Sequence, residues 1–274
     1  MTTPALAENV RGKGRHYRVP TAEEMIAAGI SSTAGVMDYA GQLVISVTNA
    51  QSALAKPALP RWAAKVVAEQ AWALRGSLAE LDEAEAVDML KGSPWRASTR
   101  ASNRGSTLHD LLEALTLGLE SFELEGEAAA YRDSIDRFLS EHELVPWHTE
   151  VTMFGDGYAG TADFLGLLDG RACVMDYKTG TKKLYPEVAI QATALRYADV
   201  MVVNGQILPV PDTECGVAVL IRPDGYEIAE VVDPDRQYRA FRALLDIRGW
   251  QNGDSPITEW QHGRELDDEP EEGS

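Results

Sequence analysis

The sequence feature that most constrains the fold is a pair of apolar, β-prone runs, residues 164–168 and 172–177, on either side of Asp169-Gly170. Asp-Gly between two such runs is the strongest short-range signal for a β-hairpin. We therefore predict two antiparallel strands that are joined by a two-residue turn at Asp169 and Gly170.

Three charged side chains stand at the open end of this predicted hairpin. Asp163 opens the first strand, and Asp176 and Lys178 close the second. Because side chains alternate along a strand, Asp176 and Lys178 share one face and Tyr177 takes the other. Antiparallel pairing would bring Asp163 beside Asp176. Two carboxylates and one ammonium then converge, which predicts a site for a hard cation such as Mg²⁺ or Mn²⁺ with a basic group next to it.

The net charge argues against non-specific binding of nucleic acid over the whole protein surface. The chain carries 25 basic and 43 acidic residues, a net charge of −18, whereas binding to a phosphate backbone requires positive charge. A local basic stripe is nevertheless present, because Arg96, Arg100 and Arg104 are four residues apart and share one helical face. Contact with phosphates and pairing with acidic neighbours are both open interpretations of this stripe.

Several other residues limit the class of protein. His109 flanks an apolar helical stripe and is interpretable as a structural residue or as a metal ligand. The two cysteines form no CxxC pair, so zinc and iron–sulfur sites are unsupported. Since there is no apolar run that could span a bilayer and no signal peptide, we expect a cytoplasmic protein without a membrane partner.

The order of predicted elements indicates an α/β fold. Helices come first, followed by three strands, a helix, two strands and a final helix. This order predicts a central mixed sheet of about five strands flanked by helices, with a helical annex at the N-terminus. We divide the chain into a flexible arm (1–20), an N-terminal helical region (21–104), a core (105–252) and an acidic tail (253–274).

A series of spaced residues resembles the RecB-like branch of the PD-(D/E)XK nucleases, in particular phage-type exonucleases similar to the CRISPR-associated RecB-like exonucleases. The matching residues are Gly105-x-x-x-His109, Glu150, Gly160-Thr-Ala-Asp163, Asp176-Tyr177-Lys178 and Gln191, and the match spans roughly residues 105–197. The resemblance implies a restriction-endonuclease-like core. Many relatives also carry a four-cysteine iron–sulfur cluster, which two cysteines cannot supply.

The resemblance implies a role for each matching residue. Asp163 and Asp176 would be acidic metal ligands, His109 an additional ligand, and Tyr177 would offer its backbone carbonyl. Lys178 would orient or deprotonate the attacking water and would steady the charge that develops on the phosphorane.

The resemblance also implies roles for the two remaining matching residues, Glu150 and Gln191. Glu150 would be a further acidic group, either catalytic or next to the metal. Gln191 would contact the nucleic acid or the groups around the metal. The branch commonly has a tyrosine four residues after this glutamine, where this chain has Leu195. The nearest tyrosine is Tyr197, six residues after Gln191. On a helix of ~3.6 residues per turn, Tyr197 lies about 120° around the axis from Gln191.

Taken together, these features predict a metal-dependent DNA exonuclease that acts in recombination, repair or phage DNA processing, in a bacterial or phage-infected cell. Mg²⁺ or Mn²⁺ would be its cofactor and DNA its partner. Whether it also binds a recombination or repair protein, and whether it forms an oligomer, are open questions at this point. The alternatives are a structure-specific endonuclease of the same fold and a non-catalytic nucleic-acid-binding subunit.

Overall fold

The structure is a computed structural model that describes residues 6–11, 13–120, 122–180 and 183–253. The predicted acidic tail lies outside these ranges, apart from its first residue. The α-helices are α1 Ala22–Ala27, α2 Val47–Ala50, α3 Ala58–Ala73, α4 Arg75–Leu78, α5 Glu83–Lys91, α6 Ser93–Thr116, α7 Arg132–Glu141, α8 Glu187–Arg196 and α9 Pro234–Asn252. The strands are β1 Ala7–Val10, β2 Gly14–Arg18, β3 Leu43–Ser46, β4 Leu144–Gly155, β5 Tyr158–Leu168, β6 Arg171–Thr179, β7 Val200–Val203, β8 Gln206–Pro209, β9 Cys215–Arg222 and β10 Gly225–Glu230.

The strands form one mixed, mostly antiparallel sheet flanked by helices. Its main path runs β1-β2-β3-β5-β4-β7-β8, and β5 also pairs with β6, which continues to β9 and β10. The pairs β3–β5 and β6–β9 are parallel. The sequence therefore predicts the α/β class correctly but the size of the sheet wrongly, since the described residues form ten strands instead of about five. The missed strands have four or five residues, too few for a recognisable alternation pattern.

The sheet forks along one edge of β5. β4 pairs with β5 over almost its whole length, so β3 and β6 must share the opposite edge. β3 pairs there only with Tyr158 and Ala159, and β6 pairs from Phe164 onward. Residues 160–163 consequently pair with none of the described strands on this edge, which leaves a gap in the sheet.

The N-terminal residues that the sequence predicts as a flexible arm form a β-hairpin instead. β1 pairs with β2, and β2 continues antiparallel onto β3. Tyr17 and Val19 are buried, which accounts for the order of this polar, basic segment. Asn49 of α2 fastens the turn of the hairpin, because its Nδ2 donates to the carbonyl oxygen of Lys13 over 2.5 Å.

Helices cover both faces of the core sheet. On one face, α6 and α7 pack Leu111 and Phe138 against Tyr177 and Val219. On the other face, Leu195 of α8 and Phe241 of α9 pack against a second apolar cluster that includes Val174. The sheet is thereby buried on both sides where β5, β6 and β9 run, as expected for an α/β core.

The helical annex has little core of its own. No side chain of α3, α4 or α5 is fully buried. α6 begins in this annex and ends in the core as one helix of 24 residues, so the predicted division between residues 104 and 105 falls inside it. None of the helices within the described ranges is long and apolar enough to cross a membrane.

Gly160 provides a test of how tightly the core packs beside the gap. A Cβ at this position would lie 2.8 Å from Cδ2 of Leu195 and 3.1 Å from Cγ2 of Val47. Because both neighbours are buried, we expect Gly160→Ala to lower the free energy of unfolding by about 1–3 kcal/mol, as overpacking does.

The control for this substitution is Gly249→Ala in α9, where a Cβ meets no atom within 4 Å. It should raise the free energy of unfolding by about 0.5–1 kcal/mol, since alanine favours a helix over glycine. Chemical denaturation measures both variants, and equal stability of Gly160→Ala and the wild type would contradict the packing described here.

Candidate functional site

The predicted hairpin is present, and its register places Asp163 opposite Asp176. Asp169 and Gly170 both have positive φ, 50° and 81°, as a two-residue type I′ turn requires. The β5–β6 ladder ends at the pair Phe164 and Met175. Asp163 and Asp176 therefore come next in register, just beyond the last pair. The backbone N–H of Tyr177 donates to Oδ2 of Asp163 over 2.6 Å, so a side chain replaces the ladder at this point.

Glu150 is held in an unusual backbone conformation on the other side of Asp163. It lies inside β4 with φ of 47°, and the β4–β5 ladder lacks the pair Glu150–Asp163, although the register is the same at Thr149–Phe164 and Val151–Ala162. A non-glycine residue with positive φ in a strand is strained, and such strain is typical of functional sites. At this distortion a carboxylate oxygen of Glu150 lies within 4.8 Å of one of Asp163, and the sequence pattern did not signal the strained backbone that accompanies it.

Helix α6 brings His109 to the same place. Nδ1 of His109 lies 3.5 Å from Oδ1 of Asp163. Gly105, one turn earlier, allows the close approach of α6 to β6, because a Cβ there would already lie 3.3 Å from Oγ1 of Thr179. The predicted spacing Gly105-x-x-x-His109 thus combines a packing residue with a residue of the site.

A metal ion could be held by His109, Glu150 and Asp163. One ligand atom from each residue lies within 4.8 Å of the other two. One imidazole nitrogen and two carboxylate oxygens suit a divalent ion such as Mn²⁺, and the carboxylates also suit Mg²⁺. The donor set fits the predicted cation, but its membership differs from the prediction, because Glu150 belongs to the group and Asp176 does not.

Asp176 instead forms a buried polar cluster with Lys178 and Gln191. Its side chain is only 2% exposed, and Nζ of Lys178 lies 2.5 Å from its Oδ2, which makes a close ion pair. Nε2 of Gln191 donates to Oδ1 of Asp176 over 2.6 Å. Oε1 of Gln191 accepts from Lys178 over 3.2 Å, so the glutamine bridges the ion pair.

The charges of the cluster keep the lysine protonated. Burial lowers the pKa of Lys178, but the nearby carboxylates of Asp176 and Asp163 outweigh this effect and raise the pKa above its usual value. Burial likewise raises the pKa of Asp163, whereas His109 and Lys178 outweigh it and hold that pKa below its usual value. The site therefore contains an ionised Asp163 and an ammonium at neutral pH.

The other two members of the triad take up protons more readily than usual. Burial in the cleft and the charge of Asp163 raise the pKa of Glu150 to about 7, although part of its side chain stays accessible to solvent. Burial lowers the pKa of His109, but Asp163 and Asp176 outweigh it and raise the pKa.

Metal binding should therefore depend on pH near neutrality. Ligand groups must lose their protons to bind a metal, so the affinity for Mn²⁺ should fall as pH decreases through about 7 and level off above it. Calorimetric titration at pH 6, 7 and 8 measures this dependence. Glu150→Gln should bind more weakly and show a shallower dependence, and an affinity that is constant from pH 6 to 8 in the wild type would contradict the expectation.

These residues line one cleft of about 460 Å³. Six of the residues singled out in the sequence line it, namely His109, Glu150, Asp163, Asp176, Lys178 and Gln191. Arg15, Tyr17, Asp110, Glu113 and Thr161 also face it and were not predicted. Glu113 follows His109 by four residues and so shares its helical face, a signal that could have identified it, whereas Asp110 directly follows His109 and carries no such signal. Arg15 and Tyr17 could not have been identified, because they reach the cleft only through the pairing of β2 with β3.

Two predicted residues point away from the cleft with their side chains. The Tyr177 ring is buried in the core below α6 and α7. Tyr197 stacks on Tyr238 with ring centroids 4.8 Å apart and donates its hydroxyl to Oδ1 of Asp235 over 2.5 Å. Tyr197 therefore does not take the place of a tyrosine at position 195, where Leu195 is buried.

The arginine stripe is largely engaged within the protein. Arg104 pairs with Glu127 over 2.5 Å and lies over the ring of Tyr131. Arg96 donates to the carbonyl oxygen of Met89. Arg96 and Arg100 are both exposed, and neither takes part in an ion pair among the residues that the structure describes.

Comparison with known proteins leaves the identity open. No protein-family model matches the chain. No curated protein matches it either. Among solved structures, SSO0001 is similar with 16% identity over 60% of this chain and 68% of that chain, at a TM-score of 0.27. A likeness this distant carries no argument about function.

Proposed function

We propose that this protein is a metal-dependent nuclease that hydrolyses phosphodiester bonds, and specifically a DNA exonuclease with a PD-(D/E)XK, restriction-endonuclease-like core. The observation that carries the proposal is the adjacency of two groups in one cleft. A His109–Glu150–Asp163 triad suited to a divalent cation lies beside the buried ion pair of Asp176 and Lys178. Phosphodiester hydrolysis is promoted by an electrophilic cation that lowers the pKa of the attacking water, and by a fixed positive charge beside the phosphoryl oxygens.

The triad supplies the negative charge that would hold Mg²⁺ or Mn²⁺ against the substrate. When bound, such an ion lowers the pKa of a coordinated water and neutralises charge on the phosphoryl oxygens. Asp163 is positioned for this role by the N–H of Tyr177, and His109 by the close packing of α6 on β6. These contacts fix the donor atoms before a substrate binds, which reduces the reorganisation that the reaction requires.

Lys178 acts as a cation in this proposal and not as a base. Its pKa is raised by the carboxylates of Asp176 and Asp163, so the ammonium has no free electron pair with which to remove a proton. The ammonium orients the attacking water through a donated hydrogen bond and stabilises negative charge on the phosphorane. Gln191, which bridges Lys178 and Asp176, fixes the ammonium in place.

The testing experiment uses linear single-stranded and double-stranded DNA that is labelled separately at each end. Purified protein is incubated with Mg²⁺, Mn²⁺ or a chelator. Release of label from one end with a metal, and none with the chelator, is the expected result. Intact DNA under every condition would overturn the proposal.

A circular single-stranded substrate separates the two modes of cleavage. An exonuclease leaves the circle intact, whereas a structure-specific endonuclease of the same fold cuts it. A protein that binds linear DNA but leaves every substrate intact would be a non-catalytic binding subunit.

A further inference from the structure

The cleft has one wall made by the N-terminal hairpin and one made by helix α6. Arg15 of β2 lines the first wall, and Ser102 and Ser106 of α6 line the second. Arg15 is exposed, and its guanidinium takes part in none of the ion pairs found within the described ranges. Lys178 also lines the cleft, but it pairs with Asp176 and is assigned to the reacting phosphate in the proposed function. Among the described residues that line the cleft, Arg15 is therefore the cation available to a neighbouring phosphate.

The cleft-lining face of α6 continues beyond the cleft. Trp95, Ser102, Ser106 and Glu113 are separated by seven, four and seven residues. Each interval is close to a whole number of turns at ~3.6 residues per turn, so these side chains lie on one face of the helix. Ser102, Ser106 and Glu113 line the cleft, which places Trp95 on the same face near the start of α6.

Trp95 is an exposed indole at the end of this face. Its exposure is 73%, although tryptophan is largely buried in most proteins. The helical rise of ~1.5 Å per residue puts it about 21 Å from His109 along the axis. This distance corresponds to about six stacked nucleotides at ~3.4 Å each. Small hydroxyl side chains occupy the helix between the two residues, including Ser102 and Ser106.

The charge of the annex also differs from that of the rest of the protein. Residues 56–104 carry eight Lys and Arg against six Asp and Glu, within a chain of net charge −18. A nucleic-acid strand that leaves the acidic cleft along α6 would therefore reach a more favourable potential. Aromatic side chains on a surface with basic groups are typical of proteins that bind single strands by stacking.

We infer that helix α6 carries a binding track for single-stranded nucleic acid that runs from the metal triad, past Arg15, to Trp95. Arg15 contacts a phosphate near the scissile one, and Trp95 stacks on an unpaired base about six nucleotides away. The inference rests on the proposed function, since it names the substrate form for the same site. Both residues are positioning residues, because neither reaches the reacting atoms.

The test is the binding of fluorescein-labelled oligothymidylates of three and twelve nucleotides, measured by anisotropy with a chelator present so that no strand is hydrolysed. Trp95→Ala should weaken binding of the 12-mer by about 5- to 100-fold, the range expected for loss of one stacked base. It should leave the 3-mer unchanged, because a trinucleotide at the triad does not reach Trp95. Arg15→Gln should weaken binding and reduce the slope of log affinity against log salt by about 0.7, the value for one phosphate contact on a single strand.

Matched controls are available for both variants. Trp72→Ala removes an equally exposed indole, at 72%, from α3, and Trp95→Phe keeps an aromatic ring on α6. Both should bind the 12-mer within about twofold of the wild type.

The results separate this inference from the proposed function. Unchanged binding of the 12-mer by Trp95→Ala and Arg15→Gln would overturn the track, even if the enzyme degrades DNA. A 12-base-pair duplex bound as tightly as the single strand, with the same dependence on Trp95, would overturn the assignment of single strands. Weakened binding by both variants in a protein without nuclease activity would support the track and contradict only the proposed function.

Discussion

Replacing Asp163 with asparagine is expected to abolish nuclease activity and to weaken Mn²⁺ binding strongly. Asp163 contributes an oxygen to the metal triad and lies next to both His109 and Asp176 in the cleft. A metal ion supplies several kcal/mol of stabilisation to a phosphoryl transition state, and each ~1.4 kcal/mol corresponds to a factor of ten in rate. We therefore expect a loss of at least about 10³-fold in the rate of end-labelled DNA degradation.

Asparagine is chosen because it should preserve the fold at this position. Its amide oxygen can still accept the N–H of Tyr177, which Asp163 accepts in the wild type. Calorimetry with Mn²⁺ and circular dichroism should then show a folded protein with reduced metal affinity. Asp224→Asn, which changes an exposed carboxylate of the β9–β10 turn, is the control and should behave as the wild type. Undiminished Mn²⁺ affinity in Asp163→Asn would contradict the triad.

Replacing Lys178 with methionine is expected to abolish activity and also to destabilise the protein. The substitution leaves the buried Asp176 without its cation, and breaking a buried ion pair costs about 3–5 kcal/mol. Because Lys178 is 34% exposed and Gln191 still donates to Asp176, we expect a loss near 3 kcal/mol in the free energy of unfolding at pH 8. Protonation of Asp176 removes the unpaired charge, so the deficit should be smaller at pH 5.

A double variant distinguishes the structural effect from the catalytic one. Asp176→Asn combined with Lys178→Met removes both charges, and the asparagine oxygen can still accept from Gln191. Urea denaturation should show that most of the lost stability returns, whereas DNA degradation stays absent because the ammonium is missing. If the double variant regained activity together with stability, the ion pair would have only a structural role.

The sequence predicted those parts of the site that depend on local chain geometry. The Asp169-Gly170 turn fixes the register of the hairpin, and the register alone brings Asp163 opposite Asp176. Helical spacing similarly placed His109 next to an apolar stripe that the structure buries, including Leu108, Leu111 and Leu112. These predictions succeeded because the residues that determine the turn, the register and the helical face lie close together in the sequence.

Features that depend on distant pairings were not predictable. The hairpin of β1 and β2 exists because Tyr17 and Val19 are buried by residues far along the chain. The strained backbone at Glu150 arises inside the completed β4–β5 ladder. Arg96 and Arg104 have partners that their own helical spacing does not reveal, namely the end of α5 and Glu127. Each of these outcomes is set by tertiary contacts that override local preference.

Local preference alone does not reveal where the helix after β6 ends. The alanine-rich segment 184–203 favours a single helix, whereas α8 ends at Arg196 and β7 begins at Val200. Pairing of β7 with β4 provides hydrogen bonds that compete with the helical ones. Residues 200–203, Val-Met-Val-Val, contain three β-branched residues, which favour the strand.

The parallel pairing of β3 with β5 has a consequence for synthesis of the chain. About 110 residues separate Ser46 from its partner Ala159, and ribosomes add ~5–20 residues per second. The edge of β3 in the β1-β2-β3 segment therefore stays unpaired for roughly 5–20 s during synthesis. An unpaired strand edge can pair with another chain and lead to aggregation. The cleft wall that carries Arg15 can assemble only after β5 has been synthesised. A stalled fragment that ends before Tyr158 should therefore have no cleft. Such a fragment should also depend on chaperones to remain soluble.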